Sequence, residues 1–105
     1  MKSVVLAAAL AVVAAPSLAD PILDLAESKQ CLTCHSVSGE LTAPSFKSIG
    51  QQWQGVKNAD IYLSMVIQRG GTQHFGCNMM PGPGARSQLT EAESTALVGW
   101  ILSMK

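Results

Sequence analysis

Charge is scarce in this chain, and what there is cancels. Only 13% of the residues are charged, seven basic against seven acidic. No Lys/Arg cluster marks a nucleic-acid footprint, and no basic amphipathic segment suits a lipid surface. Aromatic residues are also few: Phe46, Trp53, Tyr62, Phe75 and Trp100. Three cysteines cannot pair completely, and two of them stand only three positions apart, which argues against a disulfide framework. No stretch alternates apolar and polar residues as a half-buried strand would, and no internal repeat is visible. The apolar run from Val4 to Ala15 is twelve residues long, short of the ~20 that span a bilayer as a helix.

That run follows Lys2 and leads into Pro16-Ser17-Leu18-Ala19. A positive start, a short apolar stretch and small residues at the cut are the marks of a secretory signal peptide. Residues 1–19 are therefore expected to be cleaved, leaving residues 20–105 as one domain in the periplasm, with no membrane insertion after cleavage. Removing nineteen residues from 105 leaves 86, and loss of Lys2 gives them one excess acid. A domain of that size has a core worth only a few kcal/mol. With so few aromatics, a buried group other than side chains is expected to help fill it.

The helix signals are local. Asp20-Pro21 reads as a cap followed by proline at the first helical position, and Ile22, Leu25 and Ala26 carry a helix to about Lys29. Phe46, Ile49 and Trp53 suggest a short second helix. Asn58 is expected to cap a third, with Ile61, Tyr62, Met65 and Val66 on one face and Gly70-Gly71 as its stop. Thr90 and Glu93 form a capping box for a last helix, whose stripe is Ala96, Leu97, Trp100, Ile101 and Met104. The fold class is all-α, a compact bundle of about four short helices. Between the last two helices, Gly70 to Leu89 is glycine-rich, holds Pro81 and Pro83, and has no periodicity. A long structureless loop in a small domain is usually functional. Because this one holds Cys77, Met79 and Met80, it is read as the second wall of a cofactor pocket.

The first wall is Cys31-Leu32-Thr33-Cys34-His35. Cysteines three apart on a helical turn share a face, so both thiols can add to the vinyl groups of one haem while the next residue offers a ring nitrogen to the iron. The string is a c-type haem attachment signal. A thioredoxin-like dithiol would need a strand leading into the motif. A structural zinc site would need four ligands, and recruiting His74 and Cys77 gives no common zinc spacing.

From Asp20 onward the chain resembles the small bacterial class I cytochromes c. An N-terminal helix leads into the C-x-x-C-H, followed by Pro44, by Phe75-Gly76-Cys77-Asn78-Met79-Met80-Pro81, and by Leu97-Val98-Gly99-Trp100-Ile101-Leu102. The resemblance implies a fold wrapped around one covalently bound haem c. It also implies an electron carrier between redox-partner proteins, with no enzymatic activity. Cys31 and Cys34 would form the thioethers, and His35 and Met80 would ligate the iron. Pro81 supports Met80 over Met79, since proline restricts the residue before it to extended backbone. Pro44 matches the family proline whose carbonyl accepts a hydrogen bond from the ligating histidine. Trp53, Arg69 and His74 are candidates for contacts to the haem propionates, and Gly99 with Trp100 for a close helix crossing. Cys77 departs from the family pattern. It is expected to stay off the iron as a buried inert thiol, with a disulfide to a partner or a second copy as the alternative. The competing readings are a dedicated haem subunit of a dehydrogenase or oxidase complex, and a haem enzyme or gas sensor with an open iron site.

Overall fold

Asp20 opens the first helix, α1 (Pro21–Ser28), by accepting hydrogen bonds from the Ile22 and Leu23 amides at 3.1 and 3.4 Å. In this computed structural model, which describes residues 8–12, 20–71, 80–82, 84 and 86–105, three more helices follow. They are α2 (Phe46–Trp53), α3 (Ala59–Arg69) and α4 (Glu91–Leu102). A single 3-10 turn, Cys31–Thr33, sits between α1 and α2. No strand occurs among the described residues, where an isolated bridge pairs Gly71 with Met80.

The caps explain where the helices start. Ser45 accepts the Ser48 amide at 3.0 Å and opens α2. The Thr90 hydroxyl accepts the Glu93 amide at 3.1 Å while the Glu93 carboxylate accepts the Thr90 amide at 2.9 Å, the reciprocal box expected for α4. Asn58 holds the cap position of α3 but makes no side-chain cap bond. Its backbone is left-handed, φ 62°, a conformation that asparagine tolerates better than most residues. Its role is to turn the chain, not to cap it.

Helix α4 packs against the other three helices. Its Leu97, Val98 and Ile101 join Ala26, Phe46, Ile67 and Leu89 in the core. The buried faces differ in detail from the sequence pattern. On α4, Val98 and Ser94 are buried while Ala96 is exposed. On α3, Ile61 and Met65 are exposed, and Val66 and Ile67 turn inward with Tyr62 and Leu63 beside them. Apart from a polar stripe of Asp60, Ser64 and Gln68, helix α3 is apolar around most of its circumference, so spacing alone could not select its inner face.

The close helix crossing falls at Gly50, not at Gly99. A Cβ on Gly50 would collide with the Ile101 carbonyl oxygen and lie 3.2 Å from the Met104 carbonyl oxygen, whereas a Cβ on Gly99 has open space around it. Backbone cannot yield as a flexible side chain can. Gly50→Ala is therefore expected to cost about 1–3 kcal/mol by overpacking, and Gly99→Ala to add up to about 1 kcal/mol through helix propensity. Urea unfolding midpoints of the two variants check the opposite signs.

Side chains also tie the start of α4 to the end of α1. Lys29 Nζ lies 3.2 Å from the Glu93 carboxylate and donates to the Gln88 carbonyl at 3.0 Å. The Thr90 amide, assisted by Lys29, holds the Glu93 carboxyl below its ordinary pKa of 4.5. A carboxyl depressed by folding adds stability above its unfolded pKa and loses it as pH falls through the folded value. Acidification from neutral pH through the carboxylate range should thus lower the urea midpoint, and Glu93→Gln should flatten that dependence.

Candidate functional site

The turn that carries the cysteines begins with a reversal. Gln30 is left-handed, φ 66°, and its side-chain oxygen accepts the Ser87 amide at 2.9 Å. The chain then winds so that the Cys34 and His35 amides both point at the Cys31 carbonyl, at 3.3 and 3.0 Å. Cys31 is buried and Cys34 half-buried. Burial pushes the Cys31 thiol above its ordinary pKa of 9.0, partly offset by the Arg86 charge.

His35 is held from its edge and its face. Its Nδ1 lies 2.6 Å from the Pro44 carbonyl oxygen. A carbonyl only accepts, so Nδ1 carries a proton and Nε2 is the nitrogen left to face the cavity's ligand. Phe46 stacks on the imidazole, with centroids 5.3 Å apart and planes 20° apart, and meets Trp100 edge-on at 5.5 Å. The loop bearing Pro44 is anchored to the cysteine turn itself. The Ala43 amide donates to the Cys34 carbonyl at 3.0 Å and the Phe46 amide to the Ser36 carbonyl at 2.9 Å.

These groups line a cavity of about 350 Å³, together with Met80 and the apolar side chains of Ile49, Leu63, Val66, Leu97 and Ile101. Met80 is placed by its backbone. Its amide donates to the Gly71 carbonyl at 2.8 Å, and its carbonyl accepts the Gly71 amide at 3.1 Å. Gly70 permits this approach: φ is 81°, and a Cβ there would lie 2.7 Å from both the Gly82 nitrogen and the Met80 oxygen.

Of the expected propionate contacts, Trp53 lines the cavity, stacked on Tyr62 at 4.9 Å. Arg69 does not. It is exposed and borders a separate surface groove with Asp60 and Glu91. Tyr62, Leu63, Val66 and Ile67 share the cavity face of α3. The cationic side chain that does line the cavity is Arg86, which the sequence reading did not single out. Its only sequence signal is a lone base inside the glycine-rich loop. His74, Cys77 and Met79 lie outside the described residues.

The groups fit a haem iron. Thiols three apart suit two vinyl groups, an imidazole with its proton fixed on Nδ1 offers Nε2, and a thioether is a soft second donor. Among the described residues, no three His, Cys, Asp or Glu side chains gather to hold a metal ion in another way. Fold and site together define a small c-type haem protein.

The cytochrome c family model matches residues 23–105, and the chain belongs to that family. It is similar to cytochrome c-552 of Hydrogenobacter thermophilus, 33% identical over 81 residues that cover 77% of this chain and 79% of that one. Cytochrome c-551 of Allochromatium vinosum is 36% identical over 92 residues, covering 88% and 93%. The crystal structure of wild-type Nitrosomonas europaea cytochrome c552 superposes with a TM-score of 0.71 at 30% identity, covering 79% of this chain and 99% of that one. The protein is a class I c-type cytochrome of the bacterial kind, with one covalently attached haem c, and its family consists of electron carriers.

Proposed function

We propose that the protein is a periplasmic electron carrier. Cys31 and Cys34 would hold its haem, and His35 and Met80 would ligate the iron. One observation carries this reading: Met80, far along the chain from Cys31, Cys34 and His35, lines the same apolar cavity as those three. When bound, the haem supplies an iron that gains or loses one electron. The Cys31 and Cys34 thiols would hold the cofactor by thioether bonds to its two vinyl groups, fixing its edge to the 3-10 turn. His35 donates through Nε2, and the Pro44 carbonyl sets the ring's orientation and raises its donor strength. Met80 supplies the soft sulfur that favours ferrous iron. Phe46, Leu97 and Ile101 line the cavity and would keep water from the iron.

With His35 and Met80 both ligating the iron, no substrate would reach the metal, and the protein would act by contact with redox partners. The apolar run ahead of Ser17-Leu18-Ala19 supports export with cleavage before Asp20. No helix among the described residues is long and apolar enough to cross a membrane. Voltammetry of protein taken from the periplasm should give a reversible one-electron wave that added azide does not move. Intact mass should equal residues 20–105 plus one haem. A wave displaced by azide would contradict the closed iron, and a mass retaining Met1 would contradict cleavage.

A further inference from the structure

Arg86 is half-buried beside the cavity, and among the described residues it has no carboxylate partner. Its donors go to backbone carbonyls: Nε to Pro81 at 2.7 Å, one terminal nitrogen to Ser87 at 3.3 Å, and the other to Ile67. These acceptors explain one another. In a continued helix the Gly71 amide would bond the Ile67 carbonyl, four residues back. Gly70 ends α3, and the Gly71 amide turns to the Met80 carbonyl instead. That leaves the Ile67 carbonyl without its helical donor, at the end of the helix where carbonyls carry partial negative charge. Arg86 supplies the missing donor and, with the same guanidinium, holds the carbonyl of the residue after Met80.

We propose that Arg86 is the positioning residue for the iron-ligating methionine, clamping the Met80-Pro81 segment to the C-terminus of α3 so that the thioether stays on the iron. This rests on the reading of Met80 as an axial ligand. The clamp needs a planar fork that reaches two carbonyls at once, which a lysine ammonium on its flexible stem does not reproduce. Arg86 therefore governs how often the sixth position opens, not which ligand occupies it.

Opening is read by the rate at which cyanide enters the ferric iron, alongside the methionine-to-iron charge-transfer band and the urea midpoint of helicity. In Arg86→Gln, cyanide entry should quicken by roughly ten- to a hundredfold, the size expected when charge-assisted hydrogen bonds no longer hold a local closed state. The band should remain in water but disappear at lower urea than the helical signal. Arg86→Lys should fall between Arg86→Gln and wild type, and it carries the test if Arg86→Gln does not fold. Gly50→Ala, destabilised away from the loop, sets the effect of lost global stability alone. Cyanide entry at the wild-type rate in the Arg86 variants, or quickened only as much as in Gly50→Ala, overturns the proposal. If wild type itself lacks the band, the Met80 reading fails and the proposal falls with it. A band that Met80→Ala abolishes, with Arg86 variants like wild type, leaves the ligand standing and removes only the clamp.

Discussion

Met80→Ala is expected to abolish the methionine-to-iron charge-transfer band and let azide or carbon monoxide bind readily. The thioether is a soft donor that stabilises ferrous iron more than ferric, so its loss costs the reduced state more and the potential falls. Axial ligands set haem potentials over ~0.8 V, and exchange of sulfur for water should move this one down by roughly 0.1 V or more. The backbone that places residue 80 is not removed by the substitution, because the two Gly71 bonds use main-chain atoms. Met80 is only partly buried, so the packing loss should fall at or below the low end of the ~2–5 kcal/mol range for methionine truncation. Met79→Ala should keep the band. A band lost in Met79→Ala and kept in Met80→Ala would move the ligand by one residue.

The second large effect concerns attachment. Extraction with acidified organic solvent should leave all haem on wild-type polypeptide, because thioether bonds survive unfolding. Cys31→Ala or Cys34→Ala should leave one covalent bond, and the double variant should release the haem entirely. The two single variants should differ in stability. Cys31 belongs to the core cluster beside Ala26 and Phe46, whereas Cys34 is only half-buried. Cys77→Ser should change neither attachment nor the iron spectrum. Haem extracted from wild type would overturn the assignment of both thiols.

Local chemistry made part of this legible in advance. Covalent attachment demands fixed spacing, so Cys31, Cys34 and His35 could be read without a fold, and the caps at Asp20 and Thr90 are short-range hydrogen bonds that their own residues encode. Pro44 was found through the family pattern, and the 2.6 Å approach to His35 gives it a physical reason. What escaped depends on contacts between distant segments. Gly50 and Gly99 look alike as helical glycines until α2 lies against the Ile101 backbone. Arg69 and Arg86 look alike as lone bases near the glycine loop, and only the folded chain separates them, with Arg86 at the cavity and Arg69 at a surface groove. Ile61 and Met65 are as apolar as Leu63 and Ile67, and the cavity, not the pattern, selects the inner pair.

The absorption spectrum of the ferric protein, recorded before and after azide, tests the central claim most directly. A closed His35/Met80 iron gives a low-spin spectrum with the methionine-to-iron band, and azide at modest concentration leaves it unchanged. A high-spin ferric spectrum, or one that azide converts at once, would show an open site and contradict a simple electron carrier.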